Sequence, residues 1–230
     1  MRHAIAVLTL ASLTASGAYA TSCGTVAAPT SCTITVGGTT KYTFSAFTLV
    51  NASSTGSGIT YTGADIAIDL ATGGGLTALL TFSKSNVNPG VVFLANANDT
   101  SGFLFTYQVT LSAAVPGNVA FRSPFTVAIG PSSHLNNGSG AVQYIVSGAP
   151  TCQAIVGIGG GQAICTIPAG QPLTIGPGNI VSLAGNSGNV SILNFTNLLD
   201  ATFTAPPVLT GAASRKGHGA AGPFNLPLSP

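Results

Sequence analysis

The amino-acid sequence predicts an all-β protein built as a single antiparallel β-sandwich of the jelly-roll or immunoglobulin-like type. Apolar and polar residues alternate over several segments, most clearly in FLFTYQVTLS at residues 103–112, where every second side chain is expected to face a core. Clusters of Asn, Gly, Pro and Ser separate these segments at the spacing of tight turns. Beyond the first residues, no window combines a 3.6-residue period with helix caps.

The N-terminus predicts a cleaved secretory signal peptide over residues 1–20. It has a positively charged start, an apolar stretch over residues 4–13 and the small-x-small sequence AYA at residues 18–20. The apolar run is shorter than the roughly 20 residues that a spanning helix needs, which argues against an anchor. We therefore expect the mature chain to begin at Thr21 and the protein to be secreted or held at the cell surface.

Composition divides the mature chain into a β-sandwich domain at residues 21–205 and a tail at residues 206–230. The tail is rich in Pro, Gly and Ala and is expected to be disordered. Charged residues make up only 4% of the chain, against about 25% in ordinary soluble domains. A surface so poor in charge favours association with itself or with a solid face, and compositional drift without interaction meaning is the alternative. No basic patch is present, which argues against nucleic-acid binding.

The four cysteines predict two disulfides, because exported thiols meet an oxidising compartment. Cys152 and Cys165 flank the near-mirror sequence CQAIVGIGGGQAIC, which predicts a β-hairpin with its ends joined by a disulfide. Cys23 and Cys32 enclose a short loop at the mature N-terminus, where a bond would prevent fraying. A zinc site is the alternative, but the two spacings do not match those of zinc knuckles.

Further alternating segments predict the remaining strands. Near the C-terminal end of the domain, residues 180–184 and 189–195 flank GNSG and predict a second hairpin. The other predicted strands are residues 41–50, 76–85, 125–129, 142–146 and 201–205.

The few carboxylates include three candidate calcium ligands. Asp65 and Asp69 in GADIAID are expected on one face of a strand, with Ile66 and Ile68 on the other. Their Cα atoms would lie about 13 Å apart, which is wide for a glycosidase pair at roughly 5 to 9.5 Å. They are predicted to be solvent-face charges or, as the alternative, calcium ligands together with backbone carbonyls. Asp99 in NANDTSG is a turn former first and a calcium candidate second.

Catalytic motifs are lacking, so no enzymatic activity and no cofactor other than calcium is predicted. His134 is the histidine of the predicted domain, and no G-x-S-x-G sequence accompanies it, so we interpret it as an ordinary loop residue. The glycine run at residues 157–161 lacks the Lys-Ser/Thr pair of a phosphate-binding loop and is interpreted as a turn.

The order of motifs across residues 40–205 carries a family resemblance. It comprises KYTFSAFTLV, GITYTGADIAIDL, FLFTYQVTLSA, a long middle hairpin region and GNSGNVSILNFTN. This order resembles the single β-sandwich domain of exported bacterial surface and biofilm-matrix proteins sorted by the PEP-CTERM/exosortase system. The resemblance implies a surface or matrix protein with no known catalysis. This chain differs near its C-terminus, where the Pro-Glu-Pro motif, apolar helix and basic cluster are missing, so the resemblance does not extend to covalent or membrane anchoring.

Together these features predict a non-enzymatic extracellular structural or adhesive protein. It would associate with itself through strand edges, or with other surface and matrix components. The alternative is a carbohydrate- or calcium-dependent binding module using Asp65, Asp69, Asp99 and an exposed Tyr61 or Tyr144, with glycans as partners; the absence of Trp counts against it. A hydrolase with an unrecognised site is a third, weaker hypothesis.

Overall fold

The computed structural model describes residues 20–30, 32–56, 58–85, 92–113, 119–130, 133–147, 152–166 and 173–203. Residues 1–19 of the predicted signal peptide and the predicted tail, residues 206–230, lie outside the described residues. The described part consists of antiparallel sheets packed against each other around one apolar core, so the predicted all-β sandwich is confirmed.

No helix in the described part of the chain is long and apolar enough to cross a membrane.

Sheet I is the first of two six-stranded antiparallel sheets. In spatial order its strands are β1 (Thr21–Thr25), β4 (Ile66–Thr72), β5 (Ala78–Lys84), β15 (Asn194–Phe203), β8 (Val119–Ile129) and β12 (Gln162–Cys165). The two longest strands of this sheet, β8 and β15, pair with each other in its interior. The strands predicted over residues 76–85 and 125–129 correspond to β5 and part of β8.

Sheet II is the second six-stranded sheet. In spatial order its strands are β11 (Cys152–Gly157), β10 (Ser139–Ser147), β13 (Thr174–Gly185), β7 (Asp99–Ala113), β3 (Thr40–Thr55) and β2 (Cys32–Val36). The strands predicted over residues 41–50, 103–112 and 142–146 lie within β3, β7 and β10. A smaller third sheet has the order β6 (Phe93–Ala95), β14 (Val190–Ile192) and β9 (His134–Leu135).

The core forms because the inward half of each strand is apolar. In β7 the buried apolar side chains are those of Phe103, Phe105, Tyr107, Val109 and Leu111, as the alternation predicts. Aromatic rings from both sheets meet in the middle, where the Phe82 and Phe105 ring centroids lie 4.6 Å apart. Offset and tilted aromatic pairs at such distances add to the free energy gained by burying the rings.

Both predicted disulfides are present, and each one joins the two large sheets. Cys23 lies on β1 and Cys32 on β2, which are edge strands of sheets I and II. Cys152 lies on β11 and Cys165 on β12, which form the opposite edge of the same two sheets. A covalent bond therefore closes the sandwich on both sides.

The structure differs from the hairpin predicted between Cys152 and Cys165. The two arms do not pair with each other, because β11 pairs with β10 in sheet II and β12 pairs with β8 in sheet I. Buried Ala154 and Val156 face the core from β11, while buried Cys165 faces it from β12. The segment is a β-arch, in which one turn carries the chain from one sheet to the other.

The prediction of a hairpin around GNSG is wrong. β13 pairs with β7 and β10, whereas β14 crosses to the third sheet and pairs with β6 and β9. The glycines of this loop permit close backbone packing. A Cβ atom on Gly185 would overlap the carbonyl oxygen of Asn96, and one on Gly188 would overlap that of Asn136.

Candidate functional site

Asp65 lies outside the strand predicted for it. The segment Gly63–Asp65 forms a 3₁₀ turn, and β4 begins at Ile66. The Asp65 carboxylate accepts hydrogen bonds from the backbone N–H of Thr62 at 2.8 Å and from the Thr62 hydroxyl at 2.7 Å. The prediction that Asp65 and Asp69 share one face of a strand is therefore wrong, because Asp65 caps the turn that precedes β4.

Asp69 and Asp99 belong to different sheets. Asp69 lies on β4 opposite Ser22 and Thr81, and partial burial raises the pKa of its carboxyl group. Asp99 is buried at the start of β7, and its carboxylate oxygen occupies the space where a side chain at Gly56 would lie. Among the described residues, no group of three or more His, Cys, Asp or Glu side chains could hold a metal ion. The three calcium candidates are therefore not brought together within the described part of the chain.

The prediction that Tyr61 or Tyr144 is exposed as a sugar platform is wrong, because both are buried. The Tyr61 ring packs edge-on against Phe93 and Phe103, with centroids 5.3 and 5.4 Å away. Its hydroxyl donates to the carbonyl of Leu94 at 3.2 Å and accepts from the N–H of the same residue at 2.6 Å. These side chains stabilise the core and cannot contact a ligand at the surface.

A buried polar cluster lies between the two large sheets. Asn197 of β15 donates a hydrogen bond from its amide nitrogen to the hydroxyl of Tyr107 on β7, at 2.8 Å. Tyr144 and Asn179 also interact with the Tyr107 hydroxyl, and all four side chains are fully or almost fully buried. Burial raises the pKa of Tyr107, while its hydrogen bond with Asn197 acts in the opposite direction. Because the cluster is sealed from the surface, we assign it a structural role in joining the sheets.

His134 lies in a strand, although the sequence predicts a loop. It belongs to the two-residue strand β9, where its backbone pairs with Ser191 of β14.

A shallow groove crosses the outer face of sheet II. Its volume is about 400 Å³, and it continues into a smaller depression of about 130 Å³. The floor is a row of small residues in direct cross-strand register: Ser53, Gly102, Ser182 and Ala141, from β3, β7, β13 and β10. Four strands spaced about 4.8 Å apart make this row about 14 Å long. The groove exists because neighbouring strands place their smallest side chains in one line.

The chemistry of the groove is neutral. Hydroxyl groups of Thr100 and Ser139 lie along one side of the floor, and the side chains of Leu104 and Ile180 lie along the other. None of the lining residues carries a charge. Such a surface can offer hydrogen bonds and apolar contact to an uncharged ligand, but it has no group suited to acid-base chemistry.

The outer face of sheet II shares this neutrality. Within the six strands of the sheet, the charged residues are Lys41, which is exposed, and Asp99, which is buried. Sheet I has more charge, including the ion pair between Arg122 and Asp200 with a closest N to O distance of 3.6 Å. Charge is therefore distributed unevenly, and the two outer faces of the sandwich differ.

No protein-family model matches the chain, and no curated protein or solved structure matches it either. The functional assignment therefore depends on the geometry and on the chemistry of the surface.

Sequence reasoning missed the groove and two exposed isoleucines. The groove residues come from four separate strands, and a small residue gives no signal by itself. The exposure of Ile155 and Ile164 could have been predicted. In CQAIVG and QAIC each isoleucine lies an odd number of positions from the cysteine of its strand, so it faces away from the core.

Proposed function

We propose that this chain is a non-enzymatic structural or adhesive protein of the cell exterior. The neutral outer face of sheet II is the observation that carries the proposal. Its strands present mainly Ser and Thr to solvent, with Val50 and Ile155 as exposed large apolar side chains and Lys41 as the exposed charge. A face without charge has little electrostatic repulsion to keep it away from another neutral surface.

An extracytoplasmic location is supported by the disulfides, by the predicted signal peptide and by the family resemblance. The two disulfides are typical of proteins that fold in an oxidising compartment. The predicted signal peptide supplies a route to such a compartment. The resemblance to PEP-CTERM-sorted surface and matrix proteins supports the same location, and we propose the biofilm matrix or the cell surface as the place where the protein acts.

The test is retention at the cell exterior. The mature protein is labelled and its binding to whole cells and to uncharged beads is measured, while electron microscopy locates the native protein. We expect binding to both and a coat or fibres at the cell surface. A diffuse secreted pool together with no binding would refute the proposal.

A pair of charge variants makes the test specific. Ser53→Glu combined with Ser182→Glu places two like charges on the floor of the groove in sheet II, where both serines are exposed. We expect this variant to lose binding. Thr72→Glu adds a charge at an exposed position at the end of β4 in sheet I and serves as the control that retains binding.

The groove favours a second function, the binding of an uncharged glycan. Its hydroxyl groups and its length suit a short run of sugar rings, although it lacks an aromatic platform. A glycan array with the mature protein tests this function, and Ser182→Phe, which fills the floor, should abolish any signal. Loss of that signal in EDTA would show that the binding depends on calcium.

A further inference from the structure

The two edge strands of sheet I, β1 and β12, differ in how they are protected. At one edge, β1 is covered by the loop that follows it: the N–H of Thr30 donates to the carbonyl of Cys23 at 2.8 Å, and Gly24 forms an isolated bridge with Pro29. A register irregularity between Ser22 and Thr25 further disrupts the edge. Bulges and covering loops are the usual means by which proteins prevent an edge strand from pairing with another chain.

The opposite edge, formed by β11 and β12, has none of these protections in the described part of the chain. Neither strand contains a charged residue or a proline, and both keep a regular register with their neighbours. Each carries a large apolar side chain on its outer face: Ile155 is 57% exposed and Ile164 is 55% exposed. Among the described residues, no strand pairs with the outer side of β11 or β12.

The backbone direction at this edge follows from the hydrogen-bond pattern. The N–H of Ile158 donates to the carbonyl of Gly140, and the N–H of Ile129 donates to the carbonyl of Gly161. Hydrogen-bonded pairs alternate along an antiparallel ladder. With the registers of β11 and β12, this alternation directs the backbone N–H and C=O groups of Ile155 and Ile164 away from the sandwich.

We propose that this double edge is the surface through which a second copy of the chain docks. A two-fold axis perpendicular to both sheets would set β11 antiparallel to β11 of the second copy. Because the Cys152–Cys165 bond holds β11 and β12 on the same side of the sandwich, the same axis would pair β12 with its own copy. Both sheets would thus continue from one molecule into the next.

A second copy suits this edge better than a charged partner does. Like charges directly opposite each other destabilise a strand pair, and β11 and β12 bring none to a contact with themselves. Each exposed isoleucine, Ile155 on sheet II and Ile164 on sheet I, would pack beside the paired strand of the second copy. Because a two-fold axis uses the same edge of both copies, the contact closes on itself and produces a dimer rather than a filament. This inference depends on the proposed structural or adhesive role and names the contact used for self-association.

The experiment is sedimentation velocity on the oxidised mature protein from low to high micromolar concentration. We expect a monomer-dimer equilibrium whose dissociation constant rises at least tenfold in the Ile155→Lys and Ile164→Lys double variant. Val50→Lys is the matched control, because Val50 is 55% exposed on β3, away from this edge, and should leave the dimer unchanged. Ile155→Pro removes the outward N–H while sparing the pairing with β10, and it should also give a monomer.

Hydrogen exchange identifies the covered strand. The Ile155 amide should exchange quickly in the monomer and become protected as concentration rises. A wild-type monomer at every concentration overturns the inference, as does a double lysine variant that dimerises like the wild type. Protection of the Ile155 amide in the monomer also overturns it, since another part of the same chain then covers the edge. A monomer that still binds cells leaves the proposed function standing, so the two failures are distinguishable.

Discussion

Breaking the Cys152–Cys165 bond should remove a large part of the stability of the sandwich. The cysteines are 13 positions apart. Closing a loop of this length in the unfolded chain reduces its entropy by an amount equivalent to about 3 kcal/mol at 25 °C. At an m value of about 2 kcal/mol per molar urea, the unfolding midpoint should fall by about 1.5 M.

The clean measurement uses the variant Cys23→Ala with Cys32→Ala, in which this bond is the remaining disulfide. Urea unfolding of the oxidised and the reduced forms then differs by one cross-link and by no deleted side chain. The converse pair, with Cys152 and Cys165 replaced by alanine, tests the shorter loop of nine positions, for which we expect about 2.5 kcal/mol.

The β-arch adds a local signature to this prediction. No ladder joins β11 to β12, so reduction should let the two edge strands separate and raise amide exchange in both. A loss below about 1 kcal/mol would contradict the entropic reasoning. Nuclear Overhauser contacts between the Hα atoms of β11 and β12 would show a hairpin and refute the arch.

Three further predictions concern the interior and the turns. Gly56→Ala should destabilise the fold by about 2 kcal/mol or more, because the position has a φ of +68° and the new Cβ meets the Asp99 carboxylate. The control Gly74→Ala, at a φ of +86° with open space around it, should cost only about 1 kcal/mol. Thermal unfolding measures both. Asn197→Leu should cost about 1 to 3 kcal/mol because it removes the amide that donates a hydrogen bond to the Tyr107 hydroxyl. Adding Tyr107→Phe should recover part of the loss in urea unfolding. Burial raises the pKa of every tyrosine in the described residues, so the free energy of unfolding should be retained below pH 10 and should fall as the pH rises beyond it. Phenolate absorbance at 295 nm should appear only with unfolding. Titration of tyrosines in the folded protein near pH 10 would contradict this prediction. The tyrosines are Tyr42, Tyr61, Tyr107 and Tyr144.

Alternation was sufficient to predict most strands, since it reports which side chains face the core. Over residues 103–112 it gave the inward side chains of β7 one by one, including Phe103 and Leu111. Both disulfide pairs were predicted correctly, although the hairpin that was the reason for pairing Cys152 with Cys165 is absent.

Alternation does not report which strand pairs with which. A hairpin and a β-arch place the same residues inward, so CQAIVGIGGGQAIC was compatible with both, and only the positions of β10 and β8 decide between them. The GNSG loop shows the same limit. Gly185 and Gly188 suggest a tight turn, but they are needed because the loop packs against Asn96 and Asn136, which are distant in the sequence.

The candidate site was hidden for a related reason. The groove of sheet II depends on Ser53, Gly102, Ser182 and Ala141 sharing one register, which is a property of four strands together. The alternative binding module required Tyr61 at the surface, yet its hydroxyl finds a hydrogen-bond donor and an acceptor at Leu94 inside the fold.

The neutral outer face of sheet II has a consequence for the environments in which the protein could work. Dissolved salt weakens attraction and repulsion between exposed charges, with a screening length of about 8 Å at physiological ionic strength. Contacts made through hydroxyl, amide and small apolar groups have little charge to screen. Attachment through this face would therefore hold equally well in dilute water and in brine, while cooling, which weakens the hydrophobic contribution, would loosen it.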